Sequence, residues 1–395
     1  MEVTDIRISR GSLSEEYNTF LGKISSRLVR LSPPANQNFL VRSSIMNNAP
    51  MIEIWFRTRG CHYFLQGGCT MCNYGFGPKV LADDMVEYVR QALATVKTDE
   101  RTYLLISPSG NMLDDWEVPQ EAREGIWRLI AGLPWALYLC ESQAKYITDD
   151  RIGRMSDILK HRPTQISIGL ESANPWILHF SINKDLPLDQ YGQAVQVLKR
   201  HHVLCNANII LGAPFLTPKE AIEDSVNATR WAFEQGTDEC FVLPINVKRG
   251  TLVQWLWERK MYSAPSLWSL VEVLHRLGAE LASRTGTAWY KTYYKENKAL
   301  QAKYLRSPQT CPKCQDWVIQ QLDSFLVSRD FAIIQELNEF NCHCKDDWHA
   351  QLDSSEGLSL KERVAATYTL LGQEILGREW WTQNGEKVLQ EVYNS

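Results

Sequence analysis

Three cysteines in the first part of the chain have the spacing that most directly indicates chemistry. Cys61, Cys69 and Cys72 follow a C-x7-C-x2-C pattern and have glycines beside them. A glycine-rich loop lets several thiolates turn toward one point, and three thiolates are one fewer than the usual four ligands of an iron–sulfur cluster. The loop therefore predicts a [4Fe–4S] cluster with one iron open to a cofactor or substrate. Taken alone, it also fits a zinc knuckle or three unrelated core cysteines.

A second set of four cysteines lies nearer the carboxyl terminus. Cys311-x2-Cys314 and Cys342-x-Cys344 are separated by 27 residues, most of which have helical apolar spacing. A helix pair between them would return the chain and bring the two pairs together. Four thiolates can hold a structural zinc ion or an iron–sulfur cluster, and the ligands alone do not decide between them. We expect a second [4Fe–4S] cluster, with zinc as the alternative, because the chain already needs cluster assembly.

The elements that position these residues alternate between short apolar runs and helical patterns. Continuous apolar strands separated by helices predict a parallel α/β sheet or barrel. In such a fold the ligand-contacting residues lie at the carboxyl ends of the strands. Polar and glycine residues do cluster at those predicted ends, at Ser109-Gly110, Glu141-Ser142, Gly169 to Ser172, Gly212 and Asn246.

The composition is that of a folded protein without secretory or membrane features. Hydrophobic residues make up 44% of the chain and charged residues 22%, as in ordinary globular domains. The first ten residues do not resemble a signal peptide and no run is long enough for a membrane span, so we expect a cytoplasmic protein. Ten cysteines in such a chain indicate metal binding or catalysis rather than disulfides. The net charge of −4 argues mildly against a large phosphate-binding face.

The length allows a large domain with an appendage. We expect four regions: an N-terminal extension over 1–50, an α/β barrel over 51–260, a region with the second cysteine set over 261–350, and C-terminal helices over 351–395.

The cysteine loop and the strand ends together resemble the radical S-adenosylmethionine (SAM) superfamily. Ser107 to Gly110 stands where that superfamily has its glycine motif, and Ile168 to Ser172 resembles its ribose-contacting motif. Asn208 to Pro214 and Phe241 to Asn246 are similar to its adenine-side strands. The usual loop is C-x3-C-x2-C with an aromatic before the third cysteine. The longer first gap and Met71 therefore indicate a minority subfamily.

This resemblance implies a partial (β/α)6 TIM-like barrel of the radical SAM type with a small C-terminal cysteine-rich metal-binding domain. It implies that Cys61, Cys69 and Cys72 hold a cluster whose open iron chelates the amino and carboxylate groups of SAM. Reductive cleavage there yields a 5′-deoxyadenosyl radical. The implied cofactor contacts are Ser109, Gly110, Glu141, Glu171, Ser172, Asn208, Gly212 and Asn246.

A closer likeness covers roughly residues 51 to 350 and is to the family of the radical SAM subunit of archaeosine synthase. In that family the subunit cleaves a lysine adduct on a deazaguanine base in tRNA and leaves an amidine. The motifs that carry the likeness are Ser107 to Gly110 with Asp114 and Asp115, Ile168 to Ser172, Ser181 to Lys184, Asn246 to Leu252, and both cysteine pairs of the second set.

The substrate stays open at this point, because one family can host different reactions. One hypothesis is archaeosine formation on tRNA with a partner subunit. The other is small-molecule or nucleoside biosynthesis, such as carbon–sulfur bond formation with the second cluster as sulfur donor. Either reaction needs an external electron donor of the flavodoxin or ferredoxin type. A zinc-stabilised binding module is the non-enzyme alternative, and it predicts no iron at Cys61, Cys69 and Cys72.

Overall fold

One curled sheet of eight strands organises the molecule. The computed structural model describes residues 19–28, 37–75, 77–108, 110–291, 304–353 and 357–395. The strand order in the sheet is β1-β2-β3-β4-β5-β6-β7-β9. The strands are β1 (Phe39–Met46), β2 (Ala49–Phe56), β3 (Tyr103–Ser107), β4 (Leu137–Ser142), β5 (Thr164–Glu171), β6 (Leu204–Leu211), β7 (Glu239–Pro244) and β9 (Thr285–Thr287).

Parallel pairing joins β2 through β7 in sequence and adds the short β9 beside β7. A helix follows each strand from β2 to β6. Helix α1 (Phe20–Leu28) precedes the sheet. The helices that follow the strands are α2 (Ala82–Leu93), α3 (Gln120–Ala131), α4 (Asp149–Ile158), α5 (Leu188–Arg200) and α6 (Pro218–Glu234). In the described residues β1 and β9 do not pair with each other, so the barrel is open. The predicted partial (β/α) barrel is confirmed.

The main core lies between the sheet and its outer helices. In β5 the apolar residues Ile166, Ile168 and Leu170 face that core, and the polar residues between them face the barrel interior. Local signals fix the helices as well: at the start of α6, Thr217 and Glu220 form a reciprocal capping box. Because successive side chains of a strand point to opposite faces, the alternation in β5 gives the sheet an apolar outer face and a polar inner face.

The sheet begins earlier than the expected boundary at residue 51. β1 pairs with β2 in an antiparallel hairpin whose two turn residues, Asn47 and Asn48, have φ values of 50° and 59°. Two positive φ values are typical of a type I′ turn, which asparagine tolerates. Because β1 is an edge strand with several half-exposed side chains, its hydrophobic alternation is weak in the sequence.

The chain after β7 supplies the remaining elements. A small two-stranded sheet joins β8 (Val247–Lys248) to β10 (Tyr304–Arg306). The helices are α7 (Leu252–Glu258), α8 (Leu267–Ser283), α9 (Gln315–Ser328), α10 (Phe331–Glu339), α11 (His343–Asp353), α12 (Leu360–Leu371) and α13 (Arg378–Asn394). The expected helix pair between the two cysteine pairs is α9 and α10. Within the described residues, no helix combines the length and apolarity that a bilayer crossing requires.

Two further packed clusters surround the barrel. α12 and α13 pack with α1 against the cysteine loop and the segment after β5, and the Tyr368 hydroxyl donates to the Phe180 carbonyl there. α9, α10 and α11 pack against α8. At the turn after α9, Arg329 donates to the Asn47 side chain at 2.9 Å and to the Thr285 carbonyl at 2.7 Å. This guanidinium therefore joins β9 to the β1–β2 turn across the open side of the sheet.

Candidate active site

The three N-terminal cysteines lie in one loop that follows β2. Cys61 precedes a 3-10 turn over His62–Gln66, after which Gly67 (φ 95°) and Gly68 (φ 69°) reverse the chain. Such φ values favour glycine because it has no Cβ. A Cβ at Gly67 would also overlap the backbone of Gly22 in α1. The loop therefore packs directly on the N-terminal helix.

A short segment between β5 and α5 holds this loop from the other side. Thr70 donates its backbone N–H to the Ile182 carbonyl at 2.9 Å and its hydroxyl to the Ser181 carbonyl at 2.8 Å. Asn183, itself at φ 57°, donates its side-chain amide to the Gly68 carbonyl at 2.7 Å. These bonds are buried, so the positions of the two later cysteines depend on a segment more than a hundred residues away in the chain.

The three thiols share one half-buried, electrostatically coupled environment. Burial is the main cause that raises the pKa of Cys69 to about 12; Cys72 and Glu171 act in the same direction, while Lys184 and Lys248 oppose the shift. Burial also raises the pKa of Cys61 well above its ordinary value, and the Glu117 carboxylate and then the other two thiols add to that effect. Thiols in this setting lose their protons when a cationic metal centre compensates the charge. The arrangement suits metal ligation better than nucleophilic catalysis.

Glu171 ends β5 in a strained conformation beside these thiols. Its φ is 68°, and the register between β5 and β6 shifts between Gly169 and Glu171. A non-glycine residue in this region costs about 1–2 kcal/mol. The Glu171 carboxylate accepts from the Lys184 ammonium at 3.0 Å, and a Cβ at Gly169 would lie 2.8 Å from both groups. The bulge thus aims an ion pair at the cysteine loop over a glycine that leaves room for it.

Polar side chains on the inner face of the sheet continue the site. Asn208 donates its amide to the Glu141 carboxylate at 3.4 Å, and Asn206 donates to the Ser167 hydroxyl at 3.0 Å. Burial raises the pKa of Glu141 to about 7, although the bond from Asn208 opposes the shift. The Asn206 side-chain oxygen is buried and has no hydrogen-bond partner among the described residues. An unpaired buried acceptor is costly, so the interior is built to receive polar donors.

The loop after β3 approaches the cysteines through Asn111, while Ser109 lies outside the described residues. The Asn111 amide lies 3.9 Å from the Cys61 sulfur. The buried Glu117 carboxylate accepts from the backbone N–H groups of Gly110 at 3.1 Å and Asn111 at 2.7 Å. A Cβ at Gly110 would overlap that carboxylate, and burial raises the pKa of Glu117 to about 7. Gly110 is therefore required by a close approach within the loop.

Two predicted cofactor residues, Ser172 and Gly212, make other contacts. The Ser172 hydroxyl donates to the buried Asp224 carboxylate of α6 at 2.7 Å, which turns it toward the helix layer. Gly212 has φ 94°, and a Cβ there would overlap the ring of Pro265. Both residues shape the strand ends, and their contact with a cofactor stays a prediction.

Asn246 also has its side chain fully engaged. Its oxygen accepts from the Ser307 hydroxyl at 2.6 Å, and its amide donates to the Trp289 carbonyl at 2.9 Å. These bonds tie the end of β7 to two later segments. A direct cofactor contact by Asn246 is likewise a prediction.

Sequence reasoning assigned no role to several residues that the fold brings to the thiols. Lys248 in β8 lies over the rings of Tyr74 and Tyr304, at 5.0 and 5.7 Å from the ring centres. Lys184 and Lys248 both lie in motifs that carried the family likeness, yet the ion pair of Lys184 with Glu171 depends on the bulge. The signal that could have identified Lys184 and Lys248 is a lone lysine beside apolar residues near a predicted strand end.

The second cysteine set forms a compact group of four sulfurs. Cys311 lies 3.6 Å from Cys314 and from Cys342, and Cys344 lies 3.6 Å from Cys314 and from Cys342. All four sulfurs lie within 4.8 Å of one another. The predicted shared metal site is confirmed as a group that could hold a metal ion. The spacing differs from what the expected second [4Fe–4S] cluster needs, because cysteines that bind different irons are held apart by the cluster.

The first cysteine set fits a [4Fe–4S] cluster with an open iron. Its three sulfurs do not all lie within 4.8 Å of one another in the described part of the chain, and three cysteine ligands leave one iron of such a cluster open. All ten cysteines are described, and the other seven lie in the core or in the second set. The Lys184–Glu171 pair and the inner-face amides offer partners for a zwitterionic nucleoside such as SAM.

Curated relatives of the chain bear the name archaeosine synthase subunit beta. The protein of Methanosarcina acetivorans is 28% identical over 307 residues, which cover 76% of this chain and 85% of that protein. The protein of Thermococcus kodakarensis is 27% identical over 302 residues, which cover 74% and 88%. The resemblance that the motifs predicted is thus confirmed.

Comparisons with protein-family models and with solved structures give less information about this chain. No protein-family model matches the chain. Among solved structures, methylornithine synthase is 13% identical with a TM-score of 0.41, over 68% of this chain and 69% of that one. That similarity is too low to bear on function.

Proposed function

We propose that this chain, which resembles the radical SAM subunit of archaeosine synthase, cleaves SAM reductively at a cluster held by Cys61, Cys69 and Cys72. The observation that carries the proposal is the three-thiol loop beside the buried Lys184–Glu171 ion pair. A set of three cysteine ligands leaves one iron of a [4Fe–4S] cluster open. When bound, the cluster and SAM would supply a 5′-deoxyadenosyl radical.

The chain's own residues position and shield that chemistry. Lys184 and Lys248 place two ammonium groups beside three thiolates and reduce their mutual repulsion. The Glu171 carboxylate offers an acceptor for a cationic amino group while Lys184 fixes its orientation. Helices α1, α12 and α13 pack against the loop at Cys69 and Met71, which limits the access of water to that side of the cysteines.

We infer further that the substrate is a tRNA deazaguanine that carries a lysine adduct, and that a partner subunit takes part. The proposal rests on the names of the two archaeal relatives and on alignments that cover about three quarters of this chain. The polar inner face supports it, because Glu141 and Asn206 offer acceptors to the N–H groups of a base. An electron donor of the flavodoxin or ferredoxin type would reduce the cluster.

Sulfur transfer to a small molecule is the second candidate. It requires the second cysteine set to hold a cluster that can give up sulfide. The four sulfurs lie within 4.8 Å of one another, a spacing that suits a single ion better than a cluster. The lysine-adduct cleavage is therefore the better supported reaction.

The substrate proposal is tested with tRNA that carries the lysine adduct. Anaerobically reconstituted protein, dithionite and SAM are incubated with that tRNA, and the digested nucleosides are analysed by mass spectrometry. We expect loss of the adduct and one 5′-deoxyadenosine per base converted, with neither change when tRNA lacking the adduct is used. Formation of 5′-deoxyadenosine at the same rate with both tRNAs, with the adduct intact, would reject this substrate while leaving SAM cleavage in place.

A further inference from the structure

The four sulfurs of the second cysteine set form a compact group around one central point. Four of the six sulfur–sulfur distances are 3.6 Å, and all six are at most 4.8 Å. A central point is then about 2.2–2.5 Å from each sulfur, which brackets the zinc–thiolate bond length of about 2.3 Å. We propose that Cys311, Cys314, Cys342 and Cys344 bind one zinc ion and not a second iron–sulfur cluster.

A four-iron cluster requires a different arrangement. Each cysteine would bind its own iron, so the irons and bridging sulfides would separate the sulfurs well beyond contact. Four sulfurs in mutual contact instead surround one ion, and a closed set of four thiolates with a C-x2-C pair is typical of structural zinc. The first cysteine set, whose three sulfurs are more widely spaced, provides the contrast within the same chain.

The surroundings stabilise the negative charge of four thiolates around a divalent ion. Cys314 is the residue before α9, and Cys344 lies in the first turn of α11, so both lie at helix N-termini. The partial positive charge of a helix N-terminus stabilises a thiolate. The Trp268 indole N–H donates to the Cys344 sulfur at 3.2 Å. A hydrogen bond of this kind orients a ligand and reduces its charge density.

A buried lysine completes this environment. Lys345 is 7% exposed, and its ammonium group donates to the carbonyls of Leu337 at 3.4 Å and Phe340 at 3.2 Å and to the carbonyl of Asn338. It lies 5.3 Å from the centre of the Trp268 ring. The ammonium group thus fixes the chain that enters the second cysteine pair and adds positive charge beside the thiolates.

The position of the second cysteine set indicates a structural role for the ion. One cysteine pair precedes α9 and the other follows α10, so a shared ion fastens both ends of this helical hairpin. The turn of the hairpin carries Arg329, which joins the β1–β2 turn to β9 across the open side of the sheet. Zinc therefore fastens a helical support along the side of the barrel where no strand pairing closes it in the described residues.

The decisive experiment uses a variant in which Cys61, Cys69 and Cys72 are all changed to alanine. Purified full-length protein is analysed for zinc and iron by mass spectrometry of the elements. We expect about one zinc and almost no iron per chain, and strong thiolate-to-cobalt absorption after exchange with Co²⁺. About four irons per chain in this variant would overturn the proposal in favour of a cluster, and a single iron would overturn the choice of zinc.

A matched pair of cysteine variants, built in the same triple-alanine background, locates the ion. Cys344→Ser should lose the zinc and the cobalt spectrum, whereas Cys240→Ser, at a buried core cysteine outside both sets, should keep them. If Cys344→Ser does not fold, a thiol-reactive reagent on the parent triple variant gives the same answer by releasing zinc as four thiols react. Zinc retained by Cys344→Ser, or zinc released without reaction of thiols, would contradict the site. Because the proposed SAM site is absent from this background, these outcomes are independent of the proposed function.

Discussion

The Lys184 ammonium lies 3.0 Å from the Glu171 carboxylate, and both groups occupy the space that a Cβ at Gly169 would need at the end of β5. This relationship depends on the positive φ of Glu171 and on the register shift beside it. Strained residues of this kind concentrate at functional sites. The pair lies beside the three thiols, which makes it the most specific feature of the site after the cysteines.

Neutralising this carboxylate tests its proposed contact with the cofactor. Glu171→Gln should weaken SAM binding about tenfold, because one charge-assisted hydrogen bond is lost. Iron content should be unchanged, since Glu171 is not a cluster ligand. The measurement is SAM binding to reconstituted protein by equilibrium dialysis. Glu374→Gln, which breaks an exposed ion pair with Arg259, is the control and should bind normally. Equal affinities for the two variants would refute the contact.

A methyl group added at Gly67 should disrupt the cysteine loop. The Cβ would overlap Gly22, and φ is 95°, so Gly67→Ala should cost about 2–4 kcal/mol of local stability and reduce the iron retained after reconstitution. Gly77→Ala is the matched control, because nothing lies within 4 Å of its Cβ position. Iron analysis and thermal unfolding compare the two. Full iron content in Gly67→Ala would mean that α1 does not pack on the loop.

The fold could be predicted largely from the sequence, because the local sequence pattern of each inner strand and helix agrees with the structure that it adopts. β5 alternates strictly, and Thr217, Pro218 and Glu220 give α6 a complete start signal. The edge strand β1 and the three-residue β9 escaped prediction. Short or half-exposed strands gain their stability from pairing with distant strands, which no local pattern records.

The cysteines of the site could be predicted from the sequence, but the residues that hold them in position could not. Cysteine spacing identified both candidate metal-binding sets, since ligands close in sequence are close in space. The hydrogen bonds of Thr70 to the Ser181 carbonyl and of Asn183 to the Gly68 carbonyl, by contrast, span more than a hundred residues, and the ion pair of Lys184 depends on a bulge. The choice of metal at the second set depends on sulfur–sulfur distances, which a sequence does not contain.

Asp224 should make stability fall as pH rises. Burial raises its pKa from 3.8 to about 6, although the Ser172 hydroxyl opposes the shift. The folded state therefore holds a proton that the unfolded state loses between about pH 4 and 6, which costs about 3 kcal/mol by pH 7.5. Asp224→Asn keeps a partner for Ser172 and cannot ionise. Its unfolding free energy relative to the natural protein, from urea titrations, should rise by about 2–3 kcal/mol between pH 4 and 7.5. A difference that does not change with pH would contradict this account.

Arg329 should stabilise the open side of the sheet. Arg329→Met removes hydrogen bonds to Asn47 and to the Thr285 carbonyl, and we expect a loss of about 2–4 kcal/mol in the free energy of unfolding. Arg276→Met, which breaks an exposed pair with Glu272 within one helix turn, is the control and should change stability by less than about 0.5 kcal/mol. Chemical denaturation measures both. Similar small effects in both variants would show that the guanidinium does not join the two edges.

Formation of 5′-deoxyadenosine tests the central claim most directly. Protein reconstituted without oxygen is reduced with dithionite and given SAM, and the nucleoside is measured by liquid chromatography. The account predicts steady formation by the natural protein and by Cys240→Ala, and a loss of at least about a hundredfold in Cys69→Ala. Full-rate formation by Cys69→Ala, or none by the natural protein with about four irons bound at the first cysteine set, would contradict it.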